Sequence, residues 1–227
     1  MVFPEIGARV AEVRARIERA VERGGHGQQV SLIAVTKTHG PDAVEAAWRA
    51  GIADVGENKV QEALSKMPEV AAPVRWHLIG HLQRNKVKHV DAFALVHSVD
   101  SERLARAIDA QGQARGAPVD VLLQVNVSGE DTKSGFEPDE WETVAALVAG
   151  LSGLRVRGVM TMAPFDANER TQRRVFSDAR RAREVLAAAG APAEELSMGM
   201  SGDYEMAVEE GATMVRLGTV LFGARAT

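Results

Sequence analysis

Apolar positions follow two alternating rhythms along the chain. Ile6, Val10, Val13, Ile17 and Val21 recur at helical spacing among Arg and Glu until Gly24-Gly25, so an amphipathic helix comes first. Beyond it, short apolar or β-branched runs alternate with longer helical stripes, punctuated by Gly, Pro or Asp. The runs 30–35, 52–55, 74–79, 93–97, 119–127, 154–160, 195–198 and 213–215 read as strands. Between them the spacing predicts a helix with Val44, Ala47 and Trp48 on its apolar face, one running to about Met67, and a basic one around 83–89. Ser101 is placed to cap a helix carrying Leu104 and Ile108. After a loop at 129–136, a helix is expected from Pro138, with Trp141, Val144, Ala145 and Val148 on one face. Val175, Ala179, Ala182 and Leu186 stripe a long helix, and a last one ends at Gly211.

Strands that alternate with helices imply a parallel sheet, because parallel neighbours need helical crossovers. A doubly wound open sheet usually carries a glycine-rich turn after its first strand. Here that strand runs into Thr36-Lys37-Thr38. The expectation is therefore an α/β fold, a (β/α)₈ TIM barrel with an extra N-terminal helix, spanning 1–227 as one domain.

Composition narrows the function classes. With 27 Lys+Arg against 31 Asp+Glu, the net charge of −4 gives no general pull toward nucleic acid or anionic membranes. Aromatic residues, at 4%, are too scarce to suggest base stacking, so Arg84–Lys88 and the arginines 173, 174, 180, 181 and 183 read as solvated helix faces. The absence of cysteine removes disulfides, thiolate nucleophiles and Cys-ligated metal sites. No apolar run approaches the roughly 18 residues of a membrane span, and no signal-peptide core is evident. A cytoplasmic protein is expected. Neither a metal-binding histidine motif nor a Gly-x-Ser-x-Gly elbow occurs.

Three features suggest chemistry. Lys37 falls at the C-terminal end of the first strand, where barrel active sites are built. A desolvated amine there could attack an aldehyde, although a strand-end lysine can equally point to water. Met198-Gly199-Met200-Ser201-Gly202-Asp203 and Arg216-Leu217-Gly218-Thr219 follow the last two strands. Turns of this composition suit a phosphate, since glycine admits it to backbone N–H groups and hydroxyls add donors. The same residues also serve as plain turn and cap positions. Arg216 would lie beside Lys37 if the barrel closes, or else pair with Glu209 or Glu210 at the surface. Asn58 could reach the same rim or cap its own helix, and His77 and His81 flank the end of the third strand.

The stretches LIAVTKTHGPD, DVGENKVQEALSK, RWHLIGHLQRNK, HSVDS, LLQVNVSGEDTKSGF, GVMTMAPF and LSMGMSGDYEMAVEEGATMVRLGTVLFG carry a resemblance over 30–223. They resemble the YggS/PROSC family of pyridoxal-phosphate-binding proteins, related in fold to the N-terminal barrel of alanine racemase. The resemblance implies pyridoxal 5′-phosphate (PLP) as cofactor, held as a Schiff base on Lys37. It also implies phosphate contacts from Ser201, Gly218 and Thr219 with the Met200 backbone, Arg216 facing the pyridine nitrogen, and Asn58 near the ring. The role implied is intracellular vitamin B6 and amino-acid homeostasis with no defined reaction. Candidate partners are PLP-dependent apoenzymes, and the protein is expected to be a monomer or weak homodimer. Two rival readings remain. A racemase-type enzyme would need a second acid/base, for which the only tyrosine is Tyr204. A sugar-phosphate barrel enzyme would use Lys37 as an aldolase-like amine.

Overall fold

The computed structural model describes residues 3–127 and 134–223. Eight parallel strands close into a barrel in sequence order. They are β1 (Ser31–Val35), β2 (Asp54–Glu57), β3 (Arg75–Leu78), β4 (Leu95–Val99), β5 (Val119–Gln124), β6 (Leu154–Met160), β7 (Glu195–Ser197) and β8 (Met214–Leu217). The helices are α1 (Ile6–Gly24), α2 (Pro41–Arg49), α3 (Val60–Lys66), α4 (Glu102–Arg115), α5 (Trp141–Ala149), α6 (Glu169–Ala188), α7 (Tyr204–Glu209) and α8 (Thr219–Phe222). Closure pairs β1 with β8 in the register Ile33↔Arg216 and Ala34↔Leu217, which brings the ends of the chain's first and last strands together. No helix among the described residues is long and apolar enough to cross a membrane.

Side chains of the strands sort into two layers, as the period of two requires. Ala34, Val55, Val96, Val121, Val159, Leu196 and Val215 belong to the large core shared with the helices. Ile33, Leu95, Leu122, Met160 and Met214 form a separate apolar cluster inside the barrel. On α6, Val175, Ala179, Ala182 and Leu186 are all buried, as their spacing predicts. Ser101 caps α4, its hydroxyl accepting from the Leu104 N–H at 3.4 Å. The leading helix packs against α7 and α8, with Arg16 donating to Glu205 at 2.8 Å and Arg23 to Glu209 at 2.6 Å.

Several local expectations are corrected. Trp48 does not join the buried face of α2, which is made by Ala43, Val44, Ala46 and Ala47; the residue is left 38% exposed. Small side chains let α2 lie close to the barrel, and a bulky indole stays at the margin. The basic segment after β3 winds as a 3₁₀ helix, Arg84–Ala92. Helix α5 begins at Trp141 rather than Pro138. Strands β2 and β4 each lie two residues further along the chain than predicted, starting at Asp54 and Leu95, and Gly56-Glu57 and Ser98-Val99 are buried in the sheet. Of the predicted loop 129–136, positions 129–133 lie outside the described residues.

Candidate functional site

At the C-terminal mouth of the barrel lies a cavity of about 550 Å³. Every strand contributes to its wall: Lys37 follows β1, Asn58 β2, His81 β3, Asp100 β4 and Met162 β6, while Gln124 ends β5. Met200, Ser201 and Asp203 follow β7, and Arg216, Gly218 and Thr219 come from β8 and its turn. The seven residues singled out in the sequence, Lys37, Asn58, Met200, Ser201, Arg216, Gly218 and Thr219, therefore share one cavity. Its size suits a small-molecule ligand.

Lys37 is half-buried, and its backbone is clamped on both sides. On the N-terminal side, the Thr36 hydroxyl donates to Glu57 Oε1 at 2.6 Å, and Lys66 Nζ donates to the Thr36 carbonyl at 3.0 Å. Lys66 also donates to Glu57 Oε1 at 2.6 Å. On the other side, Thr38 adopts a left-handed φ of 66° and its N–H donates to Glu62. A non-glycine residue holds that conformation only where its surroundings enforce it. Burial pushes the Glu57 carboxyl above its ordinary value, against the hydrogen bonds from Lys66 and Thr36. This support was not found from the sequence. The signal available was a glutamate inside a strand and a lysine at the end of α3, both of which look like solvent-facing residues.

Arg216 is 5% exposed. Nη1 donates to Ser197 Oγ at 2.6 Å and Nη2 to the Thr161 carbonyl at 3.0 Å. Burial lowers its pKa to about 10, with Asp203 opposing, so it remains a cation at neutral pH. The surface alternative fails, because Glu209 pairs with Arg23 and Arg173, and Glu210 with Arg173 and Arg180. Asn58 is not the cap of α3, since Lys59 occupies that position. Glycine at position 80 brings the Asn58 segment in: a Cβ there would meet the Asn58 carbonyl at 2.3 Å.

The two glycine turns are tied to each other. Ser201 Oγ accepts from the Val220 N–H at 3.3 Å, joining the β7 turn to α8. The Gly199 carbonyl accepts from the Arg216 N–H at 3.0 Å. Gly199 has a φ of 94°, and a Cβ there would strike Ala207 and Tyr204, so only glycine fits. Asp203 Oδ1 accepts from the Met200 N–H at 2.6 Å, fixing the bend beneath the cavity.

Of the two histidines flanking β3, His81 lines the cavity and meets Asp100 at 3.1 Å, whereas His77 is buried inside the barrel. Tyr204 is not in the cavity wall; it is buried on α7 with Arg16 5.9 Å from its ring centre. Met162, Ala163, Pro164 and Phe165 form an apolar lip, with Phe165 94% exposed.

Residues 9–226 match the family model described as alanine racemase, N-terminal domain. A Pseudomonas aeruginosa protein named pyridoxal phosphate homeostasis protein is 44% identical over 223 residues, covering 97% of this chain and 96% of its own. The Escherichia coli protein of that name is 38% identical, with 97% of each chain covered. PipY of Synechococcus elongatus, solved with PLP bound, superposes with a TM-score of 0.85 at 36% identity, over 96% of this chain and all of PipY. Alanine racemase from Corynebacterium glutamicum shares the fold at a TM-score of 0.76 and 17% identity, this chain covering 63% of its length. On this similarity along nearly its whole length, the chain belongs to the pyridoxal phosphate homeostasis protein family.

Proposed function

We propose that this protein binds PLP in the cavity at the barrel's C-terminal mouth and holds it reversibly on Lys37 in the service of vitamin B6 and amino-acid homeostasis. The carrying observation is the convergence of Lys37, Asn58, Met200, Ser201, Arg216, Gly218 and Thr219 on one cavity. When bound, PLP supplies an aldehyde that a lysine amine can capture without any further cofactor. The donor set fits the other end of that molecule too. Ser201, Thr219 and the glycine turns around Met200 and Gly218 offer hydroxyl and backbone donors to a phosphate. A Cβ at Gly202 would enter open space, so the turn leaves room for such a group. Arg216 can only donate, so it would keep the pyridine nitrogen an acceptor and the ring a weak electron sink. Asn58 would sit beside the ring.

The whole chain would act as one cytoplasmic domain, a monomer or weak homodimer handing PLP to apoenzymes. A visible spectrum of purified protein with added PLP, before and after borohydride reduction, tests the reading. The reduced label should lie on the peptide containing Lys37, and Lys37→Ala should lose it; a label elsewhere, or a spectrum unchanged in the variant, refutes it. The racemase-type alternative gains support from the shared fold and loses it from the placement of Tyr204 outside the cavity wall. Exchange of an amino acid's α-proton in D₂O at enzymatic rates would promote that alternative.

A further inference from the structure

Behind Arg216 a chain of hydrogen bonds runs through the barrel interior to its opposite end. Ser197 Oγ, which accepts from Arg216, lies 2.9 Å from His97 Nδ1. His97 Nε2 lies 2.9 Å from His77 Nδ1, and His77 Nε2 lies 2.9 Å from Asp54 Oδ1. Asp54 in turn accepts from Arg75 Nε and Nη2 at 2.7 and 2.6 Å. Ser197, His97, His77 and Asp54 are all buried, and none of them lines the cofactor cavity. Asp54 borders a second cavity, at the N-terminal mouth.

With His77 neutral, the two ends of this chain fix the direction of every bond in it. A guanidinium only donates, so Ser197 Oγ accepts from Arg216. A carboxylate only accepts, so His77 Nε2 carries a hydrogen. In a neutral His77, Nδ1 is then an acceptor, which puts the hydrogen of His97 on Nε2 and leaves its Nδ1 to accept from the Ser197 hydroxyl. Burial, with the positive charge of Arg216 adding to it, holds His97 well below the ordinary imidazole range and hence neutral. Ser197, His97 and His77 are then each used once as donor and once as acceptor along the chain, from the cation at one mouth to the anion at the other. Such aligned chains polarise their members cooperatively.

We propose that Ser197, His97, His77 and Asp54 are positioning residues for Arg216, forming a one-way donor relay that sets its guanidinium at the base of the cofactor cavity. The proposal rests on the reading that Arg216 meets the ring of PLP. In the protein without PLP, imidazole ¹⁵N spectra should show both His77 and His97 protonated on Nε2. With PLP added, His97→Leu should weaken binding about tenfold and shift the visible absorption of the bound cofactor. His97→Gln should restore both, because the amide oxygen and nitrogen reproduce the acceptor and donor of the imidazole. A His97 hydrogen found on Nδ1, or a His97→Leu protein with the affinity and spectrum of the wild type, overturns the relay. If wild-type protein takes up no PLP, the cofactor reading falls instead, and the tautomers still decide on the relay.

Discussion

Removing the charge of Lys66 tests the support beneath Lys37. The Lys66–Glu57 pair is 2.6 Å long with side chains only 5% and 0% exposed. Lys66→Met keeps the apolar stem and strands the Glu57 carboxylate in the core. Among the described residues Thr36 would remain as a neutral donor, and Glu57 Oε2 already has no hydrogen-bond partner. Breaking one side of a buried pair costs about 3–5 kcal/mol, which at this chain length lowers Tm by roughly 6–20 °C. The pH dependence has a definite sign. Burial raises Glu57, so the folded state binds that proton more tightly than the unfolded chain, and stability grows as pH falls through the folded pKa. Without Lys66 that value climbs further, so the deficit of the variant should shrink between about pH 7 and about pH 5. Urea unfolding at the two pH values measures it, with Glu57→Gln added to Lys66→Met expected to recover most of the loss. A single variant within about 1 kcal/mol of wild type, or a double variant no better than the single, would refute the reasoning.

Other substitutions probe the cavity and its frame. Arg216→Ala should weaken PLP binding by about 10- to 100-fold, the loss of one charge-assisted hydrogen bond, while leaving a borohydride-reducible attachment to Lys37; equilibrium titration at the visible band reads the change. Ser201→Ala with Thr219→Ala should raise the Kd for PLP but leave pyridoxal, which lacks the phosphate, nearly unaffected, and an equal loss for both would deny the phosphate assignment. Trp48→Gln should change stability by no more than about 0.5 kcal/mol in urea unfolding, because its ring lies at the margin of α2 rather than in the core.

The parts of this molecule that depend on periodicity were readable from the chain. The stripe Val175, Ala179, Ala182, Leu186 needs only a helical repeat, and β6 needs only an apolar run bounded by turns; both occur where expected. The cavity residues were legible for another reason. Lys37, Ser201, Arg216 and Thr219 stand at strand ends or in the turns just beyond them, and barrel closure turns strand ends into a common rim. Trp48 was misjudged because helical spacing says which face a residue is on and not how near a partner surface comes.

Partnerships across the barrel are of a different kind. His97 and Ser197 are one hundred positions apart and meet only because β4 and β7 face each other across a closed lumen. Read singly, His77 within RWHL and His97 within LVHSV resemble lone polar intrusions in apolar strands. A buried imidazole is tolerable only when both ring nitrogens find partners, and no sequence-local neighbour supplies them. The interior instead divides itself: Ile33, Leu122, Met160 and Met214 keep one part apolar, while Asp54, His77, His97 and Ser197 satisfy one another in the rest. Arg216 requires that division. A guanidinium held in so buried a position needs internal acceptors before any ligand arrives, and the Ser197 hydroxyl and the Thr161 carbonyl supply them. The polar residues inside the strands and the cation at the cavity are thus one requirement, and a change to either should be felt at the other.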